Sequence, residues 1–431
     1  MQENFLHYVW QHQYFDLSDL QTTNGESLIV TNSGILNQNA GPDFSNAHLI
    51  LQGVKWAGNV EIHVKASAWY QHNHYKDQSY DNVILHVVWE NDCDIHRTDG
   101  SIIPAFELKG RVDTELIHKW TSLVNSEFQI PCAGQISQVD EIARISMMDK
   151  VLMSRLERKA EEIVEVFKST NNDWEETAYR ILAKNLGFKI NAQPFEQLAQ
   201  SISINILRKH SNSRLQMEAL LFGQAGMLNK NTSDYQQELE YEYRFLAHKY
   251  NLLTKQVKLE QWKFAKLRPV NFPTIRIAQL ASILQENGSI FSSFLELESI
   301  SQATTIFKIP TSTFWQNHYR FDSISDKIDK TLGRSSIENI VINTVVPLMV
   351  AYGKYIGEQH YIDRAIGFLE GINSENNRII RKWKEVGINV KSAFDSQALI
   401  ELANNYCGKK RCLSCKIGNQ IVSKKEIQFA K

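Results

Sequence analysis

The hydrophobic pattern of the chain changes its period near residue 140, and this change constrains the fold more than any other feature. Before it, apolar residues alternate or form short runs bounded by turns, as in "NVEIHVKA" and "DNVILHVVWE", which is typical of β-strands. After it, they recur every three or four positions, as in "ISMMDKVLMSRLERKAEEIVEVF", which is typical of amphipathic helices. We therefore predict an α+β protein, with a mixed α/β domain over residues 1–135 and an all-helical region over 136–431.

The N-terminal region contains one helix-like and several strand-like segments. A helix is predicted in "ENFLHYVWQHQYF", and strands in "SLIVTNSGIL", "NAHLILQGV", "NVEIHVKA" and "DNVILHVVWE". The segment "SAWYQHNHYKDQSY" between the last two strands is a short helix or an ordered loop, and "SIIPAFELKG" after the Asp99-Gly100 turn is hairpin-like. In the helical region, Asp173 and Glu176 form a capping pattern for a helix that ends near Gly187.

Length and charge limit the classes of function. A chain of 431 residues is expected to form two or three domains, and a net charge of −1 gives no whole-chain electrostatic case for binding nucleic acid or membranes. The N-terminus lacks the pattern of a signal peptide. The longest apolar run, residues 339–353, is shorter than the ~20 residues of a membrane span and contains Pro347, so it predicts a buried, kinked helix. We expect a cytoplasmic protein with no membrane partner, whose cysteines are thiols or metal ligands.

A candidate catalytic group lies in the stretch from Asp43 to Lys65. Residues at i, i+2 and i+4 of a strand share a face, so Glu61, His63 and Lys65 point the same way. An exposed polar face would explain them without any function. However, the Gly-Pro turn before Asp43 places a second carboxylate at the start of the neighbouring strand. Asp43 and Glu61 could then bind Mg²⁺ or Mn²⁺, with His63 or Lys65 assisting a water molecule that attacks a phosphate.

Two other groups compete with this site. Glu107 and Lys109 have a Glu-x-Lys spacing and rank second to the group around Asp43 and Glu61; the alternative is a solvated hairpin face. Histidines are also concentrated in this region, and together they could form a transition-metal site, since imidazole suits Zn²⁺, Mn²⁺ or Fe. For any one of them, a hydrogen-bonded core residue is the simpler interpretation. These histidines are His63, His72, His74, His86 and His96.

The cysteines form the most specific pattern in the chain. Cys407, Cys412 and Cys415 have the spacing C-x4-C-x2-C near the C-terminus. Thiolates at such spacings bind an iron–sulfur cluster or Zn²⁺, usually with a fourth ligand. Cys132 and Cys93 are the candidates for the fourth position, and we prefer Cys132 because it lies at the junction of the two regions. The alternative is a set of thiols without metal.

The order of the N-terminal elements resembles the core of the PD-(D/E)XK nuclease superfamily. That core contains a helix, a strand opening with Pro-Asp, a strand carrying a second acid, a short connection and a further strand. The resemblance implies that Asp43 and Glu61 bind Mg²⁺ and that a lysine follows two residues after the second acid. This chain has His63 at that position, with Lys65 two residues further on.

The chain as a whole resembles one bacterial family, domain of unknown function 2851, in the motifs "GPDF", "NVEIHVK", "VILHVVW", "IPC", "LRPVNFP" and the terminal cysteines, in that order. The resemblance implies no activity. The residues above favour a metal-dependent nuclease or nuclease-derived protein that acts on DNA or RNA phosphodiesters. The alternative is a non-catalytic scaffold, with a degenerate nuclease fold, that binds nucleic acid or protein.

Overall fold

The computed structural model describes residues 1–37, 39–229, 232–328 and 330–424. The chain divides into two compact units. Unit 1 combines Met1–Met147 with Ala403–Lys431, and unit 2 consists of Met148–Leu402. Unit 1 is therefore discontinuous in sequence, since it is built from both ends of the chain.

The strands, in chain order, are β1 (Leu28–Asn32), β2 (Ile35–Leu36), β3 (Phe44–Leu51), β4 (Val54–Lys65), β5 (Val83–Glu90), β6 (Ala105–Glu107), β7 (His318–Arg320) and β8 (Ser323–Ile324). The helices are α1 (Glu3–Gln11), α2 (Ala68–Gln71), α3 (Thr114–Val124), α4 (Glu141–Ser169), α5 (Trp174–Leu186), α6 (Ala192–Ser201), α7 (Ile204–Arg208), α8 (Arg214–Gln224), α9 (Asp234–Tyr250), α10 (Pro273–Glu286), α11 (Ile290–Leu295), α12 (Ile300–Phe307), α13 (Thr313–Gln316), α14 (Arg334–Ile340), α15 (Val346–Ile356), α16 (Gln359–Gly371), α17 (Arg378–Glu385), α18 (Ala393–Leu402) and α19 (Lys416–Ser423). The predicted mixed α/β N-terminal region followed by a large helical region is confirmed.

Unit 1 contains a mixed sheet, which has six strands within the described residues. Its order is β1-β3-β4-β5-β6, and β2 also pairs with β3. β3 pairs antiparallel with β1, β2 and β4. The pair with β4 is antiparallel because the two strands are joined by a tight turn at Gln52-Gly53, where both residues have positive φ. β4 and β5 are parallel, and this pairing requires a crossover connection. Residues 66–82, with α2 and two 3₁₀ turns, supply the crossover.

The hairpin-like piece predicted at "SIIPAFELKG" is confined to its first residues, where Ile103 N–H donates to the carbonyl of Ile95. β6 pairs with β5 in the parallel sense. The Asp99-Gly100 turn closes only an isolated antiparallel bridge between His96 and Ile102. The turn signal was correct. The strand that follows it, β6, forms the edge of the sheet and runs parallel, not antiparallel, to β5.

The core of unit 1 is formed by apolar side chains of α1, α3 and the sheet. Phe5, Val9 and Trp10 of α1 are fully buried, and burial of each such side chain contributes roughly 1.5–3 kcal/mol. Phe5 stacks on Trp120 of α3 with ring centroids 4.4 Å apart. A second apolar cluster, beside the crossover segment, includes Trp69. The sheet therefore has little exposed surface at the centre of β4 and β5.

Unit 2 is predominantly helical. The predicted start of α5 is confirmed, because the side chain of Asp173 accepts hydrogen bonds from the backbone N–H groups of Glu175 and Glu176. The helix ends at Leu186, next to Gly187. α10 is buried around nearly its whole circumference, as expected of a central helix. The short hairpin of β7 and β8 is the part of this unit that the sequence did not predict.

One stretch among the described residues, Arg334–Ile356, is long and apolar enough to cross a membrane. Its most apolar window is 72% buried inside the protein, as in a core helix. A π turn at Val341–Val345 interrupts the stretch between α14 and α15, shortly before Pro347. Proline has no N–H for the helical ladder, and π turns accommodate such defects. The predicted buried, interrupted helix is confirmed.

Candidate metal centre

Asp43 and Glu61 lie side by side, held by hydrogen bonds to backbone groups. Asp43 directly precedes β3, after a turn in which Gly41 has φ +103°. The N–H of Asp43 donates to Glu61 Oε2 over 3.0 Å, and the N–H of Ile62 donates to Asp43 Oδ2 over 2.9 Å. The structure thus brings the two predicted acids together. One oxygen of each is already used as a hydrogen-bond acceptor.

A β-bulge at the start of β3 contributes to this arrangement. β3 pairs Phe44 with Val60 and Ala47 with Gly58, so it contains one residue more than β4 between these positions. Asn46, with φ +55°, lies within the extra length. Bulges of this kind bend a strand and re-aim its side chains, and they are common beside functional sites.

Three histidines converge beside Glu61. The ligand atoms of His63, His72 and His74 all lie within 4.8 Å of one another. Glu61 Oε1 is 3.3 Å from His74 Nε2 and 3.6 Å from His63 Nε2. These four side chains come from β4 and from the crossover segment that follows it. We call them the histidine–glutamate cluster.

Burial controls the protonation of the cluster. The side chains of Glu61 and His63 are 5% and 2% exposed. Burial and, after it, the neighbouring imidazoles, first of all His86, together lower the pKa of His63 to about 2. Burial also raises the pKa of Glu61. His63 is therefore neutral at physiological pH and can offer a lone pair to a cation.

His86 of β5 supports His63 from behind. His63 Nδ1 and His86 Nε2 are 2.8 Å apart, and His63 Nε2 lies 3.1 Å from His72 Nδ1. Burial lowers the pKa of His86 to about 3, so it too is neutral. If His63 donates its Nδ1–H to His86, its Nε2 lone pair faces the cluster. This is the usual arrangement of a metal-binding histidine with a hydrogen-bond acceptor behind it.

Buried ring nitrogens without good hydrogen bonds indicate that the cluster fits a cation. His74 Nε2 lies near Glu61 and His7 Nε2 lies 3.2 Å from Asp43 Oδ2, yet neither nitrogen has a hydrogen bond of acceptable geometry among the described residues. Buried polar atoms without partners are rare in folded proteins. Imidazole nitrogens and a carboxylate are the donors that Zn²⁺, Mn²⁺ and Fe prefer. The residues present therefore fit a transition-metal ion.

Aromatic side chains form one wall of the cluster. Tyr80 stacks on the ring of His74 with centroids 3.8 Å apart, and Trp69 contacts His74 and His86. Burial, together with the charges of Glu61 and other acids, raises the pKa of Tyr80 to about 12. The wall limits the freedom of His74 and excludes water from that side. Trp69 and Tyr80 are both buried.

The exposed-face interpretation of β4 was wrong, because the crossover segment covers Glu61 and His63. Lys65 is different: it lies at the exposed end of β4, in register with Glu90. The pKa of Glu90 is lowered mainly by Lys109 and to a smaller extent by Lys65. Within the described ranges, no hydrogen bond or ion pair joins Lys65 to the histidine–glutamate cluster.

The competing Glu-x-Lys pair lies apart from the two acids. Lys109 Nζ forms an ion pair with Glu90 at 3.0 Å, and Glu107 Oε2 accepts a hydrogen bond from the N–H of Asn91. These contacts stabilise the end of the sheet around Lys65. The structure therefore gives this pair a partnered, surface position.

The four cysteines of the predicted metal site are all buried and all belong to unit 1. Cys132 lies in the turn after α3, Cys407 ends a π turn, and Cys412 and Cys415 precede α19. Cys93, the other candidate, is only partly buried, and its pKa is raised by burial and by Asp92 and Asp94.

Sequence reasoning missed His7, which reaches Asp43 from α1. No spacing rule connects position 7 to position 43, so only the packing of α1 on the sheet reveals the pair. His72 and His74 were recognised as members of a histidine-rich segment, but the contact of His74 with Glu61 and that of His72 with His63 were not. The alternation rule applied to β4 could have suggested them, since Glu61 and His63 point towards the connection that carries both histidines.

Comparison with known proteins gives one family match. Residues 3–378 match the family described as protein of unknown function (DUF2851). Neither the curated proteins nor the solved structures gave a match. The family match extends over most of both the sheet and the helical region, and it stops before the three terminal cysteines.

Proposed function

The chain belongs to the DUF2851 family, whose description assigns no activity, and we propose that it is a metal-dependent hydrolase of nucleic-acid phosphodiesters. The histidine–glutamate cluster would hold the ion. The single observation that carries this proposal is the convergence of three histidine ligand atoms beside a buried glutamate. The order of elements in unit 1 supports a nuclease-like substrate class: α1, then β3 after Pro42-Asp43, then β4 with Glu61, then the crossover to β5.

The proposed ligands are Glu61, His63, His72 and His74. With three imidazoles, this set favours Mn²⁺ or Zn²⁺ over Mg²⁺, which prefers oxygen ligands. When bound, the ion would polarise a phosphate oxygen and lower the pKa of a coordinated water molecule. His86 would keep the ring of His63 in the orientation and tautomer that ligation requires.

Access to the cluster is from the side of Asp43, His7 and His72. The side chains of His7 and Asp43 are 22% and 24% exposed, and His72 is exposed, whereas Glu61 is buried. Substrate would therefore approach from this side. The charge of Asp43, whose Oδ2 lies 3.2 Å from His7 Nε2, would orient that imidazole, and His7 is the group that would accept a proton from the attacking water. Lys65 has no role in this proposal because of its distance along the strand.

The test is cleavage by the purified full chain of single- and double-stranded DNA and RNA. We expect no cleavage with EDTA and recovery on addition of Mn²⁺ or Zn²⁺. Glu61→Gln should abolish cleavage, because it removes the anionic ligand but keeps an oxygen that can accept from Asp43. Glu107→Gln is the matched control, since Glu107 lies outside the cluster, and Lys65→Ala should also remain active.

The competing function is a scaffold that binds nucleic acid or protein without turnover. It is favoured by the position of Lys65, which leaves the cluster without a lysine. Binding of nucleic acid with no cleavage under any metal condition would contradict the hydrolase proposal and support the scaffold. For either function we expect the protein in the cytoplasm, where thiols remain reduced.

A further inference from the structure

Unit 1 contains a second group of potential metal ligands that the proposed function does not use. Its four members are 7–8% exposed, so all four thiols are in the interior. Cys132 comes from the N-terminal part of unit 1, and the other three come from its C-terminal segment. The four are Cys132, Cys407, Cys412 and Cys415.

Hydrogen bonds join the two chain segments that carry these thiols. Lys410 Nζ donates to the backbone carbonyl of Ser126, the N–H of Asp140 donates to Gln420 Oε1 over 3.2 Å, and the N–H of Lys416 approaches Met147 Sδ at 3.4 Å. The segment around residues 407–424 is therefore fixed against residues 126–147 on both sides of the cysteines.

Because these hydrogen bonds join the two segments, Cys132 and the three terminal cysteines lie in one buried part of unit 1, and the pKa values of the thiols agree with this. Burial raises the pKa of Cys132 to about 12, and Cys415 and Cys412 contribute to this increase. The pKa of Cys407 is raised by burial and then by Cys132, Cys415 and Cys412. Cys93 takes no part in these effects. Cys132, although distant in sequence, is therefore the candidate for the fourth ligand beside the three terminal cysteines.

The backbone around Cys412 and Cys415 has the form of a tight ligand turn. The N–H of Cys415 donates to the carbonyl of Cys412 over 3.2 Å. Cys415 is the N-cap residue of α19. Gly418 lies so close that a Cβ there would be 2.3 Å from the Cys412 carbonyl oxygen. A glycine is therefore needed for α19 to approach this turn.

We infer that Cys132, Cys407, Cys412 and Cys415 form a four-thiolate metal centre that holds Zn²⁺ or an iron–sulfur cluster. Both groups take four thiolate ligands, and a pair at C-x2-C is common to both. A cation compensates for the cost of four buried thiolates, and Lys410 acts in the same direction on Cys407 and Cys412. The centre would fasten the C-terminal segment to the rest of unit 1. It is independent of the hydrolase proposal.

The test is the metal and sulfide content of the full chain purified without oxygen. We expect about one Zn²⁺ per chain, or iron with acid-labile sulfide and visible absorption, on the cysteines. Cys132→Ser should lose this metal, whereas Cys93→Ser should keep it. A His72→Ala variant separates the two sites, because it should lose only the metal of the histidine–glutamate cluster.

A second measurement does not depend on the folding of a variant. If zinc is bound, wild-type protein denatured without chelator should have four fewer thiols that react with a disulfide reagent than protein denatured with chelator. Chelation should also lower the melting temperature of the wild-type protein. Two results together would overturn the inference. The wild-type protein would carry no zinc or iron beyond the amount that His72→Ala removes, and chelator would leave its melting temperature unchanged.

Discussion

The Nδ1 atom of His63 lies 2.8 Å from the Nε2 atom of His86, so two buried imidazoles share one hydrogen bond. His86 does not reach the open side of the cluster, since it is fully buried. Its contribution is to fix the ring of His63. This relationship separates ligand residues from supporting residues and makes the two experimentally distinguishable.

Replacing His86 should weaken metal binding without removing a ligand. We expect His86→Ala to lower the affinity for Mn²⁺ or Zn²⁺ by about 10–100-fold, the usual effect of losing a group that supports a metal ligand. Isothermal titration of the metal-free protein measures this. His96→Ala is the control, because His96 contacts Tyr70 rather than the cluster. Equal affinities for the two variants would contradict the role of His86.

Two substitutions of Asp43 separate its structural contribution from its chemical one. Asp43→Ala leaves the buried N–H of Ile62 without an acceptor and should reduce the free energy of unfolding by about 1–3 kcal/mol. Asp43→Asn keeps an oxygen acceptor and should change it by less. Both should lose cleavage, because neither orients His7 with a charge. Denaturant unfolding and the cleavage assay test this, and an active Asp43→Asn would remove Asp43 from the proposed mechanism.

Gly418 should not tolerate a side chain. Gly418→Ala places a Cβ against the Cys412 carbonyl, and we expect a loss of about 1–3 kcal/mol, as for an overpacked core, together with lower metal content. Gly367→Ala in α16 is the matched control, since nothing lies within 4 Å of its added Cβ. That variant should gain about 0.5–1 kcal/mol. Thermal unfolding and metal analysis give both results.

Glu218 should make the stability of unit 2 depend on pH. It is fully buried and accepts from Trp315 Nε1 and Tyr235 OH, and burial raises its pKa above the ordinary 4.5. As pH rises from 4.5, the unfolded state ionises first, so the native state binds more protons and loses stability. Glu218→Gln lacks this loss, and its stability relative to wild type should increase with pH.

Denaturant titrations at several pH values between 4 and 8 measure this difference. Glu260→Gln, at an exposed position, is the control and should show no such trend. A stability difference between Glu218→Gln and wild type that stays constant over this range would show that Glu218 keeps the same protonation in the folded and unfolded states.

The elements that were predicted correctly depend on local sequence. β4 and β5 follow from their apolar alternation, and α5 follows from the cap at Asp173. The parallel position of β6 was missed because the Asp99-Gly100 turn indicates a local reversal of the chain but does not specify the direction in which β6 then pairs with β5. The burial of Glu61 was missed for a related reason: alternation identifies the two faces of a strand, but not which of them the crossover segment covers.

The candidate site was predicted in part. The sequence singled out Asp43, Glu61 and His63, which the structure brings together, and it preferred Cys132 over Cys93 as the companion of the terminal cysteines. It gave Lys65 equal weight with His63. Two residues along a strand span about 6–7 Å, so the side chain of Lys65 lies that much further from the acids than the side chain of His63. His7 lay outside any pattern, because its position depends on how a helix packs on a sheet.

Because unit 1 is built from both ends of the chain, its completion is delayed during synthesis on the ribosome. Cys407 follows Cys132 by 275 residues, and at about 5–20 residues per second the ribosome needs roughly 14–55 s to make them. Throughout this interval the sheet of unit 1 has emerged without its C-terminal segment, while unit 2 is made and can fold. A released chain that ends at Leu402 should therefore contain a protease-resistant unit 2 and a protease-sensitive unit 1.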